Sequence, residues 1–160
     1  MIRSSTRLRL CAVLICVNLA FIWGNSLLPG HISGAMSDWA KAGLDQILSW
    51  VSPQTRPHGP GGGLLRKLAH LTEFTCLGML LRWLVGMLRD GKWEQLLYPL
   101  AGGMLAAGID ETIQCFVPDR GPAIKDVGID TLGVLLGIVI ISLIQIFKNK
   151  KSRYLEETQL

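Results

Sequence analysis

The sequence predicts an all-α polytopic membrane protein: four transmembrane helices and a short interfacial amphipathic helix in the first outer loop. Three observations carry this. Apolar residues make up 49% of the 160 and charged ones only 18%, with a mean hydropathy of +0.37, more apolar surface than one soluble core can hide. The apolar residues come in unbroken runs rather than stripes, and four runs meet the length of about 17–25 residues that a spanning helix needs. None of the runs alternates, and in hydrocarbon only helices or closed barrels satisfy their own backbone, so the spans are helical. The chain reads as a single membrane domain over 1–160.

The first span is expected at Leu10–Leu28. Arg3, Arg7 and Arg9 precede it as they would a secretory leader, but the run exceeds a leader's apolar region and Gly24-Asn25-Ser26 is a poor cleavage site. A retained helix is therefore expected, and Pro29 stops it. In the outer loop 29–63, Met36, Trp39, Ala40, Gly43, Leu44, Ile47, Leu48 and Val51 recur at three- and four-residue steps. That pattern predicts an amphipathic helix over 36–51. It either lies in the outer interface, anchored by Trp39 and Trp50, or packs on the bundle. Residues 52–63, rich in proline and glycine, read as a linker. The remaining spans are expected at 64–88, 96–117 and 127–147, with a basic tail over 148–160. Gly133 and Gly137, with Gly102, Gly103 and Gly108, offer small faces for close helix packing or for a homo-oligomer. Cys11, Cys16, Cys76 and Cys115 lie in the apolar runs without metal-ligand spacing and read as small apolar residues.

The formal charge of +4 does not indicate nucleic acid, because the cations flank the spans instead of forming a stripe with aromatics. Arg3, Arg7 and Arg9, then Arg82, Arg89 and Lys92, then Lys148, Lys150, Lys151 and Arg153 form three short dense groups. The positive-inside rule puts these in the cytoplasm, and both termini with them.

That topology gathers polar residues into the outer half of the bundle. Lys67, His70 and Glu73 step by three along one face of the second span. The third span carries Asp110 and Glu111, with Gln114 one turn on, and the fourth opens with Asp126 and Asp130. Arg120 lies in the loop between them, and Ser26 closes the first span. A charge near the centre of a span costs about 2.5–3.5 kcal/mol, so these groups must face the bundle interior or a wet cavity. Lys67 and Arg120 leave the five acids unbalanced. Protonation, a cationic ligand, or a divalent metal on His70, Glu73 and Glu111 would restore balance. A buried network that only fixes helix register competes with a site whose ligand-binding residues are Lys67, Asp110, Gln114, Arg120, Asp126, Asp130 and Ser26. In an enzyme, Glu111 or Glu73 would act as general base with His70 as acid/base partner.

These residues resemble the VanZ-like family of bacterial membrane proteins. The resemblance rests on Ser26-Leu27-Leu28-Pro29, Lys67-x-x-His70-x-x-Glu73-Phe74 and Asp110-Glu111-x-x-Gln114, followed by Arg120, Asp126-Val127, Asp130, Gly133 and Gly137. Asp130 stands where that family more often has asparagine, which adds a negative charge. The resemblance implies a multi-pass protein of the bacterial plasma membrane and cell envelope, and an association with resistance to the antibiotic teicoplanin, a glycopeptide acting at the outer face. Three functions follow as expectations. The first is an envelope protein whose outer pocket binds a membrane lipid, a lipid-linked molecule or a glycopeptide-related ligand. The second is a membrane enzyme acting on a lipid-linked substrate. The third is a proton-coupled permease subunit, disfavoured because the cytoplasmic half of the spans shows no matching polar path.

Overall fold

The structure, a computed structural model, describes residues 4–51, 62–121 and 123–157. The described residues are helical apart from short turns: α1 (Ser4–Ser26), α2 (Gly30–Val51), α3 (Gly62–Leu88), α4 (Glu94–Gln114) and α5 (Ile124–Glu157). Three of them are long and apolar enough to cross a membrane, over Ser5–Ser26, Leu65–Leu88 and Ile124–Lys151. The segment expected at 96–117 is helical as α4. It falls short of that standard because Pro99, Asp110 and Glu111 interrupt its apolar run.

The breaks have local causes. Pro29 cannot continue α1, and its carbonyl accepts the N–H groups of Ile32 and Ser33, which starts α2 at once. The amphipathic helix therefore begins six residues earlier than its apolar pattern suggests. Gly62 and Gly63 fall inside α3, and the rest of the expected linker, 52–61, lies outside the described residues, as does the side chain of Trp50. Pro118 ends the α4 turn, and Asp119 takes a left-handed φ of 60°, a conformation aspartate tolerates better than most residues. The 34 residues of α5 extend well past the expected 147, because no glycine or proline follows Gly137 and the Lys, Arg and Gln of the tail are good helix formers. At 1.5 Å per residue α5 is about 51 Å long, more than a bilayer core of about 30 Å.

Contacts between helix ends define the packing direction. Asn25 of α1 meets Glu73 of α3, Ser26 meets Gln114 of α4, and Lys67 of α3 meets Asp126 of α5. At the opposite end, the Cys11 thiol points at the Leu80 carbonyl and Arg82 meets Ser142. So α1 and α4 run one way, and α3 and α5 the other. The most extensive seam joins α3 to α5, where a Cβ on Gly137 would collide with the Thr75 carbonyl and one on Gly133 with that of Leu71. The two backbones approach this closely only because glycine stands there.

The core is a layer of Ile22, Phe74, Leu77, Ala106, Ala107, Val134 and Ile138. Large apolar side chains elsewhere point outward, among them Val13, Val17 and Phe21 on α1, Leu97 and Leu105 on α4, and Leu136, Val139, Leu143 and Phe147 on α5. A surface so apolar suits hydrocarbon and not water.

Arg82 corrects the sequence reading. The sequence reading counts it with Arg89 and Lys92 among the orienting charges between the second and third spans, yet it lies within α3 and is only 7% exposed. Its partners Ser142 and Gln145 sit on α5, so close packing of that helix draws it inward. The half of the bundle expected to show no matching polar path therefore holds some polar groups, although the core layer lies between them and the other end.

Candidate functional site

Every candidate residue lies at the end of the bundle where α1 stops. Antiparallel packing makes this happen: the C-terminal turns of α1 and α4 and the N-terminal turns of α3 and α5 share that end. Ser26, Asp110, Glu111, Gln114 and Asp130 are all buried there.

One set of contacts links α1, α4 and α3. The Gln114 Nε2 donates to Asp110 Oδ2 at 2.7 Å and reaches Ser26 Oγ at 3.3 Å. The Asn25 Nδ2 donates to Glu73 Oε1 at 3.0 Å. Asn25 is a site residue that sequence reading missed; nothing in its local sequence marks it, and only the crossing of α1 and α3 brings it to Glu73.

The second set comes from the α4–α5 loop. Gly30 N–H donates to the Pro118 carbonyl at 3.0 Å, His31 Nδ1 lies 3.1 Å from Asp119 Oδ2, and Asp119 adopts the left-handed turn. The loop is thereby tied to the start of α2, and Arg120 turns inward to donate from Nη2 to the Asn25 carbonyl at 3.1 Å. Burial, followed by the charge of Arg66, pushes the Arg120 guanidinium below its ordinary pKa, while Asp110 and Glu111 pull it back up. A guanidinium stays charged through such shifts. Glu111 accepts the Ala123 N–H through Oε1, which pins the loop's exit. Lys67 Nζ lies 3.1 Å from Asp126 Oδ1, with both side chains part-exposed.

The third set converges on His70. Its Nδ1 lies 3.8 Å from Asp110 Oδ2 and 4.0 Å from Asp130 Oδ1, too far for hydrogen bonds. Donor atoms of His70, Asp110 and Asp130 lie within 4.8 Å of one another. Those three form the close trio, in place of the His70, Glu73 and Glu111 set read from sequence. The physical reason is that Glu73 faces α1 and Glu111 faces the loop, each already holding a partner.

Two cavities adjoin these groups. A space of about 10 Å³ lies among Arg66, Lys67, His70, Gln114, Asp126 and Asp130, room for about one water. A larger one of about 210 Å³ lies between α2 and α3. Asn25, Arg66, His70, Glu73 and Arg120 line its polar side, while Leu28, Met36, Ala40, Leu65 and Ala69 line its apolar side. Two of the residues lining it keep buried polar atoms with no hydrogen-bond partner among the described residues: Glu73 at Oε2, and Arg120 at Nε and Nη1. Arg66 lines both cavities, a role its place in a short basic pair did not suggest.

The family model described as VanZ/LLP1 matches residues 8–145, from early α1 to late α5. No curated protein and no solved structure matches the chain.

Proposed function

The chain belongs to the VanZ/LLP1 family, and from that premise we propose that it is a four-span protein of the bacterial inner membrane with an outward-facing binding pocket. In this reading α4 also crosses the membrane, as the third of four spans, α2 lies in the outer interface, and both termini are cytoplasmic. Outward-facing Leu97, Met104, Leu105 and Ile109 on α4, and the basic residues clustered at the far end, support it.

One observation carries the binding role. The larger cavity has an apolar wall on one side, and on the other an arginine and a carboxylate that each keep buried polar atoms unpartnered. Buried polar groups are almost always hydrogen-bonded. An unmatched donor beside an unmatched acceptor therefore suits an amphiphile that brings its own donor and acceptor: a lipid headgroup, a lipid-linked envelope molecule or a glycopeptide-related ligand. The test is mass spectrometry of lipid that copurifies with wild type and with Arg120→Gln. One headgroup class should be enriched in the wild type and lost in a variant that still elutes as a folded species. Identical lipid content in both would remove the basis for the pocket. The resistance role implied by family membership has its own test, teicoplanin susceptibility of cells expressing wild type or Arg120→Gln.

A second reading, a membrane enzyme, is favoured by the His70 trio. Separations of 3.8 and 4.0 Å are close to twice a metal–ligand bond of about 2.0 Å, so one small divalent ion could sit between imidazole and carboxylates. Elemental analysis of purified wild type, His70→Ala and Asp110→Asn decides it. A near-stoichiometric metal lost in both variants supports metal-assisted chemistry on a lipid-linked substrate, and metal-free active protein excludes it. The permease reading is the weakest, since Phe74, Leu77, Val134 and Ile138 form an apolar barrier across the bundle.

A further inference from the structure

At the end of the bundle opposite the polar pocket, α3 carries an arginine that pairs with no acid among the described residues. Arg82 is nine-tenths buried. Its Nε donates to Ser142 Oγ at 3.2 Å and its Nη2 to Gln145 Oε1 at 2.8 Å. Both partners are neutral, and the Arg82 Nη1 is buried with no hydrogen-bond partner among the described residues. Beside it opens a cavity of about 610 Å³ whose polar lining is Arg82, Lys92, Gln95, Ser142, Gln145 and Asn149. No carboxylate lines it. The two acids nearest Lys92 in sequence, Asp90 and Glu94, are both absent from that lining, and Glu94 lies 3.9 Å from Arg89.

A buried guanidinium held by neutral groups, with a second cation at the rim, is the inverse of an ion pair: the anion is the missing member. The guanidinium fork suits planar, multidentate recognition of an oxyanion, and phosphate above all. Glycine at position 86 keeps the fork in place, because a Cβ there would come within 2.9 Å of Arg82 Nη1. The location bears on what carries the anion. Arg82 is about 9 Å of helical rise from Leu88, where α3 ends. Trp83 and Trp93, both exposed, flank this end as interfacial tryptophans do. Leu96 and Ile146 add apolar wall to the cavity.

We propose that this cavity binds a phosphate group, with Arg82 as its buried anchor and Lys92 as its rim contact. A phosphodiester on an anionic lipid and free inorganic phosphate share that chemistry, and the experiment separates them. The full chain in detergent is titrated with phosphatidylglycerol, with phosphatidylcholine and with inorganic phosphate, and binding is read by native mass spectrometry. Expected is saturable binding of phosphatidylglycerol, weakened roughly tenfold or more by Arg82→Gln and several-fold by Lys92→Gln. Lys92 is exposed on the turn, so its variant tests the site even if Arg82→Gln fails to fold. Gly86→Ala should weaken binding while the protein stays folded, since it displaces only the tip of a flexible side chain. Inorganic phosphate binding as tightly as the lipid, and equally sensitive to the variants, would retain the site and assign it a soluble ligand. Phosphatidylcholine binding as tightly as phosphatidylglycerol, or binding indifferent to Lys92→Gln and Gly86→Ala, would overturn the proposal. Arg120→Gln lies at the other end and should leave this binding unchanged, so failure of the outer pocket and failure of this site are separable.

Discussion

Alanine at Gly133 should pry apart the two helices that hold the polar site together. A Cβ there would stand 2.6 Å from the Leu71 carbonyl oxygen, 3.1 Å from Phe74 Cβ and 3.2 Å from the Thr75 nitrogen. Ordinary contact begins near 3.4 Å, so the closest pair must part by about 0.8 Å. Two of the three obstructing atoms are α3 backbone and cannot rotate away, so the seam itself must open. Overpacking of this kind costs about 1–3 kcal/mol. It also drives Asp130, on α5, away from His70, on α3, lengthening a 4.0 Å approach toward about 5 Å. Gly108→Ala is the matched control: a Cβ there meets nothing within 4 Å, and replacing a helical glycine by alanine gains up to about 1 kcal/mol. The same chemical change should thus have opposite signs at the two positions. Unfolding in mixed micelles by titration with sodium dodecyl sulfate, followed by circular dichroism, measures both. A Gly133→Ala protein as stable as wild type would refute the close seam, and with it the geometry assigned to the trio.

Other outcomes follow from single contacts. Asn25→Leu leaves Glu73 Oε1 without its donor beside an Oε2 that already lacks one, so a loss of about 1–3 kcal/mol is expected. A double-mutant cycle with Glu73→Gln should show coupling, and strict additivity would mean the two side chains do not interact. The Lys67–Asp126 pair is part-exposed, so Lys67→Gln should change stability by no more than about 1 kcal/mol. If it nevertheless abolishes ligand retention, Lys67 is a binding residue; if stability collapses, it is structural. For topology, alkaline phosphatase fused after residue 160 should be inactive and after residue 121 active, and the reverse pattern would invert the assigned orientation.

Some of the site could be read from spacing alone. Lys67, His70 and Glu73 share a face because a helix turns every 3.6 residues, and their burial cost already required an interior or a cavity. Which partner each would meet could not be read that way. Asn25 reaches Glu73 across 48 positions of sequence, and the His70 trio draws on three helices whose relative rotation no single run encodes. The same holds for Arg82. In sequence it groups with Arg89 and Lys92 as an orienting charge, and only the approach of α5 makes it a buried residue.

The sequence by itself determined the helical class, the three helices long and apolar enough to cross a membrane and the gathering of polar residues at one end. Those properties follow from run length, hydrocarbon's demand for internal backbone hydrogen bonds, and the alternating direction of successive spans. Tertiary structure alone decided that Asp110 and Asp130, rather than Glu73 and Glu111, converge on His70. It also decided that α2 starts beside the α4–α5 loop and that a cationic cavity occupies the far end. Each of these depends on how closely and at what rotation two helices meet. That is set by a few small residues such as Gly133 and Gly137, and by competition among polar groups for a limited number of partners.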